Sequence, residues 1–312
     1  VTLAGGVTDP VPINNSATDT GTVIAVPLLS INSVGRTEDD SGSSNLRFTV
    51  TRTTTGTAFE VDYATADGAA VAGSDYTATA GTLNFAADGA STQTINVPII
   101  GDHRVEDIES FTLTLSNPTG NAQISGGGGT GIGSITDNDS ATVQFAPVSV
   151  NQSEGSSPMA FSVTLSNPVQ SGVTLTVNST PGSATSPDDF TAIGGGTLVF
   201  APNSNASHTV NVVIIGDALD EDDEAFTLSL SNLLAIGDVT LPAATATATG
   251  TIVDDDVTPT LSASDLPQPE GNAVNTLTLT ATLSAISGRN VSFSRATQDG
   301  TAVSTGPSPD FV

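Results

Sequence analysis

Residues 99–117 read IIGDHRVEDIESFTLTLSN, and residues 214–232 read IIGDALDEDDEAFTLSLSN. The two copies are offset by 115 residues, counted from Gly101 to Gly216. On both sides of the acidic centre, apolar and polar residues alternate as they do in a half-buried β-strand. Each copy is therefore predicted to form two strands joined by a turn that is crowded with carboxylates. Because neighbouring carboxylates repel one another, such a turn favours a bound cation.

The composition favours strands throughout the chain. Of its 312 residues 37% are hydrophobic, but only 4% are aromatic and none is Trp, so the core has to be built from Val, Leu, Ile, Ala and Phe. Thr, Ser, Gly and Val are abundant, and long stretches with the period of a helix are absent. The sequence therefore predicts an all-β protein.

The charge balance excludes several kinds of partner. The chain has 33 acids against six basic residues, which are all arginine, and its formal net charge is −27. Such a surface repels nucleic-acid phosphates and anionic membranes, so no nucleic-acid partner is expected. No apolar run reaches 18 residues, so no membrane insertion is expected. Cysteine is absent, which excludes disulfides and thiol chemistry.

The rest of the chain comes into register when the two acidic phrases are aligned. GTLNFAADGASTQTINVPII at 81–100 matches GTLVFAPNSNASHTVNVVII at 196–215, and the units close with GIGSITDND at 131–139 and GTIVDDD at 250–256. A period near 115 residues with about seven strands per unit predicts tandem Ig-like antiparallel β-sandwiches.

This register predicts the domain organisation. Repeat one spans 28–139, repeat two spans 140–256, and 257–312 is the N-terminal half of an incomplete third repeat. Residues 1–27 form an N-terminal extension, whose first residues resemble the closing strand of a preceding unit and are followed by a linker. Two explanations of the half repeat stay open. Either the chain is a piece of a longer repeat protein, or another chain completes the half-domain by strand addition.

The acids of repeat one are predicted to converge at one end of the sandwich. In a seven-strand unit whose sequence neighbours run antiparallel, the A–B, C–D and E–F turns share one end, and strand G leaves at that end. The turns at the opposite end, such as 117–120, carry almost no acid. The acids of the shared end are Glu38, Asp39, Asp40, Asp67, Asp75, Asp102, Glu106, Asp107, Glu109, Asp137 and Asp139.

A carboxylate cluster of this kind suits calcium. Calcium takes six to eight oxygen ligands and tolerates irregular geometry, whereas magnesium prefers few protein ligands and keeps its water. Zinc favours His and Cys, but the chain has two His and no Cys. The sequence therefore predicts Ca²⁺ at one end of each unit. Because strand G leads into the next unit, the ions are expected to stiffen the junction as well.

Three stretches at fixed spacing carry a resemblance to a known family. They are DYATADGAAVAGSDYTATAGTLNF at 62–85, INVPIIGDHRVEDIESFTLTLSN at 95–117 and SITDND at 134–139. Together they resemble the Calx-β domain, a module of the cytoplasmic loop of sodium–calcium exchangers, of integrin β4, and of many large bacterial and metazoan extracellular proteins. The resemblance covers two full copies from residue 28 to about 256, and the start of a third.

The resemblance implies a ligand set for each repeat. Asn138 stands where a third Asp is common, and Ser179–Gly182 of repeat two lacks the acid of the T-x-D-G phrase. The third repeat offers only Glu270 and Asp299. The implied metal ligands are Glu38, Asp67, Asp102, Glu106, Glu109, Asp137 and Asp139 in repeat one, and Glu154, Asp217, Glu221, Glu224, Asp254, Asp255 and Asp256 in repeat two.

Several residues have a structural interpretation instead. Asp75, Asp189 and Asp310 each precede an aromatic residue, and we interpret them mainly as turn-capping acids, with a ligand role as the alternative. Phe111 and Phe226 are predicted to lie in the core. The chain offers no usual nucleophile–base pair and no aromatic cleft for sugars, so it is predicted not to be an enzyme.

Together these features predict a calcium-binding structural or adhesive repeat segment of a secreted extracellular or cell-surface protein. Its expected partners are calcium ions and neighbouring repeats or identical subunits, whereas the sequence does not identify an adhesion ligand. The alternative is a subunit of an extracellular filament or sheath that is assembled by strand complementation of the C-terminal half-domain. A regulatory calcium sensor is a third hypothesis, which the lack of a membrane segment, Cys and Lys argues against.

Overall fold

The computed structural model describes residues 25–264, 267–269, 273 and 275–305. Most of the predicted N-terminal extension lies outside these residues, as do Glu270 and Asp310. The described residues fall into two units. The first unit contains those up to His103 together with Asp107–Asn138, and the second contains Arg104–Glu106 and the residues from Asp139 onward.

The first unit is a sandwich of two sheets. One sheet has the strand order β6-β3-β1-β8, and the other has the order β2-β9-β7-β4-β5. The strands are β1 (Leu28–Ile31), β2 (Val34–Thr37), β3 (Gly42–Arg52), β4 (Phe59–Ala66), β5 (Ala80–Phe85), β6 (Thr92–Gly101), β7 (Glu109–Ser116), β8 (Gln123–Ile124) and β9 (Thr130–Thr136).

The second unit repeats this arrangement. Its sheets have the orders β15-β12-β10-β17 and β11-β18-β16-β13-β14, and β19 pairs with β20 in a separate two-stranded sheet. The strands are β10 (Ser140–Phe145), β11 (Ser149–Ser153), β12 (Met159–Leu165), β13 (Val173–Pro181), β14 (Gly196–Phe200), β15 (His208–Val212), β16 (Glu224–Leu234), β17 (Asp238–Thr240), β18 (Thr247–Val253), β19 (Leu261–Ala263) and β20 (Ala281–Leu283).

Each sandwich encloses one apolar core that follows from the alternation in the sequence. In β3 the residues Leu46, Phe48 and Val50 are buried in turn, while the residues between them face outward. Phe111 and Phe226 are 1% and 0% exposed, as predicted. The predicted class, an all-β protein of tandem sandwiches, is confirmed. Within the described part of the chain there is no helix with the length and apolar character needed to cross a membrane.

The first strand of each sandwich differs from the antiparallel pattern that we expected. It is divided between the two sheets, so that β1 pairs antiparallel with β3 whereas β2 pairs parallel with β9. The same division occurs in the second unit, where β11 runs parallel to β18 from Ser149↔Thr249 to Ser153↔Val253. As a result, the turn that follows the divided strand lies beside the residues that follow the last strand.

Candidate metal centre

The parallel strand pair of the second unit determines where its acids lie. Glu154 follows β11 directly, and its backbone N–H donates to the carbonyl oxygen of Val253 at 3.0 Å. Val253 is the last residue of β18, and Asp254–Asp256 come next in the chain. Because both strands end at the same edge of the sheet, Glu154 and these three aspartates lie close together.

The glycine of the repeated IIGD phrase brings a further acid to this edge. A Cβ atom on Gly216 would lie 2.8 Å from the carbonyl oxygen of Glu154, so the backbone after β15 passes directly against the turn after β11. Asp217, the next residue, therefore lies beside Glu154. In the first unit a Cβ atom on Gly101 would overlap the carbonyl oxygen of Asp39. The phrase thus needs glycine because two turns meet there.

These contacts build a three-carboxylate group in repeat two. Glu154, Asp217 and Asp256 each offer a carboxylate oxygen, and these oxygens lie within 4.8 Å of one another. Glu154 Oε1 and Asp256 Oδ2 are buried and have no hydrogen-bond partner among the described residues. A buried oxygen without a partner is costly. Two such negatively charged oxygens close together are suited to bind a cation.

A small solvent-open cleft continues from this group. Apart from Ile252, all of its lining residues are acids: Glu154, Asp189, Glu221, Asp222, Glu224 and Asp254. Phe190 and Phe226 stack in the core below it, with ring centroids 4.5 Å apart. Since Asp189 precedes Phe190 and Glu224 lies two residues before Phe226, the stack holds these two acids together.

The structure places Asp75 and Asp189 beside the predicted ligands. Both make the predicted capping bond, because Asp75 Oδ2 accepts from the N–H of Val71 at 2.6 Å and Asp189 Oδ2 accepts from the N–H of Thr185 at 2.6 Å. In addition, Asp189 lines the cleft, and an oxygen of Asp75 lies within 4.8 Å of one of Glu109. The sequence did contain a signal for these positions, which is the Asp–aromatic pair in each repeat. The buried aromatic ring fixes the preceding Asp at the acidic end of the sandwich.

Crowding raises the pKa values of the carboxyl groups in the cleft. Burial, together with the nearby carboxylate of Asp256, raises the pKa of Glu154 to about 7. Burial and the neighbouring Asp189 likewise raise the pKa of Glu224 to about 7. The pKa of Glu221 is also raised, mainly by burial and then by Asp217. In each case burial is the largest cause and the charge of neighbouring acids adds to it, and a divalent cation would neutralise those acids.

The first unit brings one pair of its predicted ligands together, and it places another predicted ligand beside Asp75. Carboxylate oxygens of Glu38 and Asp137 lie within 4.8 Å of each other, next to the parallel pair of β2 and β9. Glu109 is paired with Asp75 in the same way, and Asp102 is exposed. The predicted ligands Glu106 and Asp139 belong to the second unit, where they are 7% and 8% exposed.

Asp67 makes a different contact from the one that a ligand role suggests. Its Oδ1 accepts from the Tyr76 hydroxyl at 2.6 Å and from the N–H of Ala72 at 2.9 Å. The Tyr76 hydrogen bond lowers the pKa of Asp67, while burial and this same bond raise the pKa of Tyr76 to about 12. Repeat two has Pro181 in place of Asp67 and Phe190 in place of Tyr76. The acid and its hydroxyl partner are therefore lost together.

Other acids of the predicted set lie at the edge of the site. Asp255 is exposed and accepts a hydrogen bond from the hydroxyl of Ser153. Asn138 replaces an acid and donates to Asp40 Oδ1 at 2.9 Å. In the third repeat, Asp299 Oδ1 accepts from the N–H of Ser304 at 2.9 Å, which is a turn contact.

A family model for the Calx-beta domain matches residues 34–131 and 136–256. The matches cover more than half of the chain, which therefore belongs to the Calx-beta family. The resemblance inferred from the sequence is confirmed. The two matched stretches follow one another, so the chain contains Calx-beta domains in tandem.

Solved structures with a similar chain include tandem domains of the same family. The crystal structure of CBD12 from CALX1.2 is 18% identical and has a TM-score of 0.34, covering 72% of this chain and 99% of that chain. Calcium binding domain CBD12 of CALX1.1 is 18% identical with a TM-score of 0.35, covering 71% and 98%. A bacterial adhesin from Mobiluncus mulieris is 8% identical with a TM-score of 0.29, covering 74% and 99%. No curated protein matches the chain.

Proposed function

We propose that the chain is a calcium-binding structural segment of an extracellular or cell-surface protein, in which Ca²⁺ stabilises each sandwich at its acidic end. The observation that carries the proposal is the group of Glu154, Asp217 and Asp256, whose oxygens lie within 4.8 Å of one another. The buried oxygens of Glu154 and Asp256 support it, because they have no hydrogen-bond donor among the described residues and a cation would neutralise both.

The donor set fits calcium better than other common metal ions. All side chains that line the cleft, apart from Ile252, offer carboxylate oxygens, and neither His nor Cys lines it. Oxygen-only ligands suit hard cations, and calcium accepts six to eight of them in irregular arrangements. Glu154, Asp217, Asp256, Glu221, Glu224 and Asp254 are the acids that would hold the ions in repeat two.

A bound ion would stabilise the fold by joining parts of the chain that are distant in sequence. Glu154 follows β11, Asp217 follows β15, and Asp256 follows β18. An ion held by all three connects three strand ends that would otherwise repel each other. Because Asp254–Asp256 follow the last strand directly, binding also orders the chain where it leaves the sandwich.

The proposed location and the structural or adhesive role rest on composition. Millimolar free calcium is the condition under which a weak site of this kind fills, and weak calcium modules are typical of extracellular proteins. The net charge of −27 keeps such a segment soluble and away from nucleic acid. We propose a binding and stabilising role and not catalysis, since the acids form a cation site and the chain has no Cys or Lys to act as a nucleophile.

Thermal unfolding with and without calcium tests the proposal. At a calcium concentration about 100 times Kd the native state gains about 2.7 kcal/mol, which raises the midpoint by at least about 5 °C. Magnesium at the same concentration serves as the ionic control and should raise it much less. The substitution Glu154→Gln should reduce the calcium-dependent rise, whereas Asp238→Asn, at an exposed acid of β17, should leave it unchanged. An equal midpoint in calcium and in chelator would disprove the proposal.

A further inference from the structure

An arginine from the third repeat lies against the acidic cleft of repeat two. Arg289 is 3.1 Å from Asp222 through Nε, 3.6 Å from Asp220 through Nη1 and 3.7 Å from Asp254 through Nη2. Its Nη2 also donates to the backbone carbonyl of Glu221. Asp222 and Asp254 line the cleft, so the guanidinium lies at the rim of the candidate calcium site.

The backbone around Arg289 is fixed to the same acidic loop. The N–H of Gly288 donates to the carbonyl oxygen of Asp220 at 3.1 Å, and the Ser287 hydroxyl lies 3.2 Å from Asp220 Oδ2. Thr258 adds a hydroxyl 3.2 Å from Asp220 Oδ1, and Asp220 is only 4% exposed. A Cβ atom on Gly288 would lie 2.6 Å from Glu221 Oε1, so the segment approaches the loop as closely as glycine permits. The arginine is therefore held in place and does not reach the cleft by chance.

We propose that Arg289 is a tethered cation that competes with calcium for the outer carboxylates of repeat two and so lowers the calcium affinity of that repeat. This inference rests on the proposed calcium site. A guanidinium is permanently charged and presents several donors in a fixed plane. The carboxylate oxygens of Asp222 and Asp254 that face it already interact with its positive charge, which would repel a metal ion at the same oxygens. Calcium needs six or more oxygens, so it has to recover these or bind with fewer.

An equivalent backbone contact without the arginine occurs elsewhere in the second unit. Val105, which aligns with Asp220, forms a parallel bridge with Val169, as Asp220 does with Ser287. Val105 is 0% exposed and belongs to the apolar core. Arg289 lies two residues after the bridge partner Ser287, and Ser171 lies two residues after the bridge partner Val169. Ser171 therefore occupies the position that corresponds to Arg289. Arg289 therefore has no counterpart at Ser171, although Arg104 forms an ion pair with Glu106 in the aligned loop. Because the two arginines contact different acids, the calcium sites of the two repeats should differ in affinity.

Calcium binding to Arg289→Gln tests the competition. Titration calorimetry on the full chain should show that this variant binds calcium about tenfold more tightly at one class of sites, within the usual range of coupling between two sites. Arg295→Gln is the matched control, since Arg295 is an exposed arginine of the same segment and should leave binding unchanged. Arg289→Lys keeps the charge without the planar fork and should lie between the wild type and Arg289→Gln. Adding Glu154→Gln to the Arg289→Gln chain should abolish the increase in calcium affinity. That result would place the tighter site in repeat two.

Each result separates this inference from the proposed function. If the wild-type chain binds calcium and Arg289→Gln binds it equally or more weakly, the competition is disproved while the calcium site stands. If the wild type binds none, the proposed function fails. In that case calcium binding by the Arg289→Gln variant would still support the competition. If this variant also bound no calcium, the competition would be disproved. Because coupling is reciprocal, saturating calcium should also speed hydrogen exchange at the backbone amide of Gly288 in the wild type.

Discussion

Phe190 and Phe226 stack with their ring planes 20° apart, directly below the acidic cleft of repeat two. Tyr76 and Phe111 stack in the same way in the first unit, with centroids 4.2 Å apart. In each pair one ring follows an acid of the C–D turn, and the other lies two residues after an acid of the E–F turn. The aromatic stack is therefore the part of the core that sets the distance between two acids of the site.

The stack predicts that Phe190→Leu weakens calcium binding although Phe190 touches no ion. Loss of the ring should cost about 1–3 kcal/mol of stability and loosen the pairing of Asp189 with Glu224. Phe200→Leu is the control, because Phe200 is equally buried but pairs with Val173, at the other end of β13 from Pro181 and Phe226. Eight residues of strand separate the two ends by about 26 Å. Calcium titration of both variants checks the prediction, and an equal loss of affinity would contradict it.

Replacement of Glu154 should have opposite effects with and without calcium. In chelator, Glu154→Gln removes a crowded charge whose pKa is raised to about 7, so the midpoint should rise. In calcium the same variant loses a ligand, and its Kd should increase at least about tenfold. Paired thermal melts of the variant and of Asp238→Asn measure both effects. If the midpoint of Glu154→Gln falls in both conditions, the crowding account is wrong.

The calcium-free protein should lose stability as the pH rises toward neutrality. The pKa values of Glu154 and Glu224 are raised from 4.5 to about 7 in the folded state. Between these two pH values the folded state therefore binds more protons than the unfolded state. The stabilisation that proton binding gives the folded state is fully present below about pH 4.5, and it is lost as the pH passes 7. Melts in metal-free buffer from pH 5 to 8 should show a falling midpoint, which the double variant Glu154→Gln/Glu224→Gln should flatten.

Calcium affinity should change with pH in the opposite direction. Ligand carboxylates have to be ionised before they bind, so the affinity should rise between pH 6 and 8, around the pKa of about 7 given for Glu154. Calorimetry in two buffers of different ionisation enthalpy would also detect the proton that is released. A pH-independent affinity without proton release would contradict the assignment of these two acids as ligands.

The hydrogen bond between Tyr76 and Asp67 predicts a non-additive pair of substitutions. Tyr76→Phe and Asp67→Asn should each lower the free energy of unfolding, because the first removes the hydrogen bond and the second removes the charge that strengthens it. The double variant should cost little more than either single variant. Denaturant unfolding in chelator measures these values. Additive costs would mean that the two residues act independently.

The same pair of variants separates the two roles of Asp67. If Asp67 also binds calcium, as the family resemblance implies, Asp67→Asn should weaken calcium binding more than Tyr76→Phe does. Equal effects in calcium would leave Asp67 only the role of holding the turn.

Gly101→Ala should destabilise the first unit far more than an ordinary glycine substitution. Its Cβ would overlap the backbone carbonyl of Asp39, which cannot move aside as a side chain would. We expect a cost of about 1–3 kcal/mol. Gly126→Ala is the control, since its Cβ would meet nothing within 4 Å, and it should be nearly neutral. Thermal melts of the two variants check the difference.

Much of the architecture followed from the sequence because alternation and repetition are local signals. The alignment of Gly101 with Gly216 predicted the strands. Because successive turns alternate between the two ends of a sandwich, Glu38 and Glu109 were predicted to lie at the same end as Asp137. The division of the first strand was not predictable, because residues 28–37 do not show where the chain crosses between sheets. This crossing creates the parallel pairs that bring Glu154 to Asp254–Asp256.

The contacts that the sequence did not predict depend on tertiary packing. The stacked rings place Asp189, which the sequence predicts mainly as a capping residue, in the lining of the cleft. Tyr76 draws Asp67 into a hydrogen bond that no spacing rule suggests. Arg289 lies far from Asp220 in sequence, and the backbone bridge at Ser287 brings them together. The ligand assignments themselves remain predictions that the substitutions above test.

The parallel pairing of β11 with β18 has a mechanical consequence. When tension acts between Ser149, where β11 begins, and Val253, where β18 ends, the two strands are pulled lengthwise in opposite directions. The ladder from Ser149↔Thr249 to Ser153↔Val253 is then loaded in shear, and its evenly spaced bonds share the force instead of opening one at a time. A calcium ion bound between Glu154 and Asp256, just beyond the end of the ladder, would resist the same sliding. The sandwich would then yield at a force that depends on calcium.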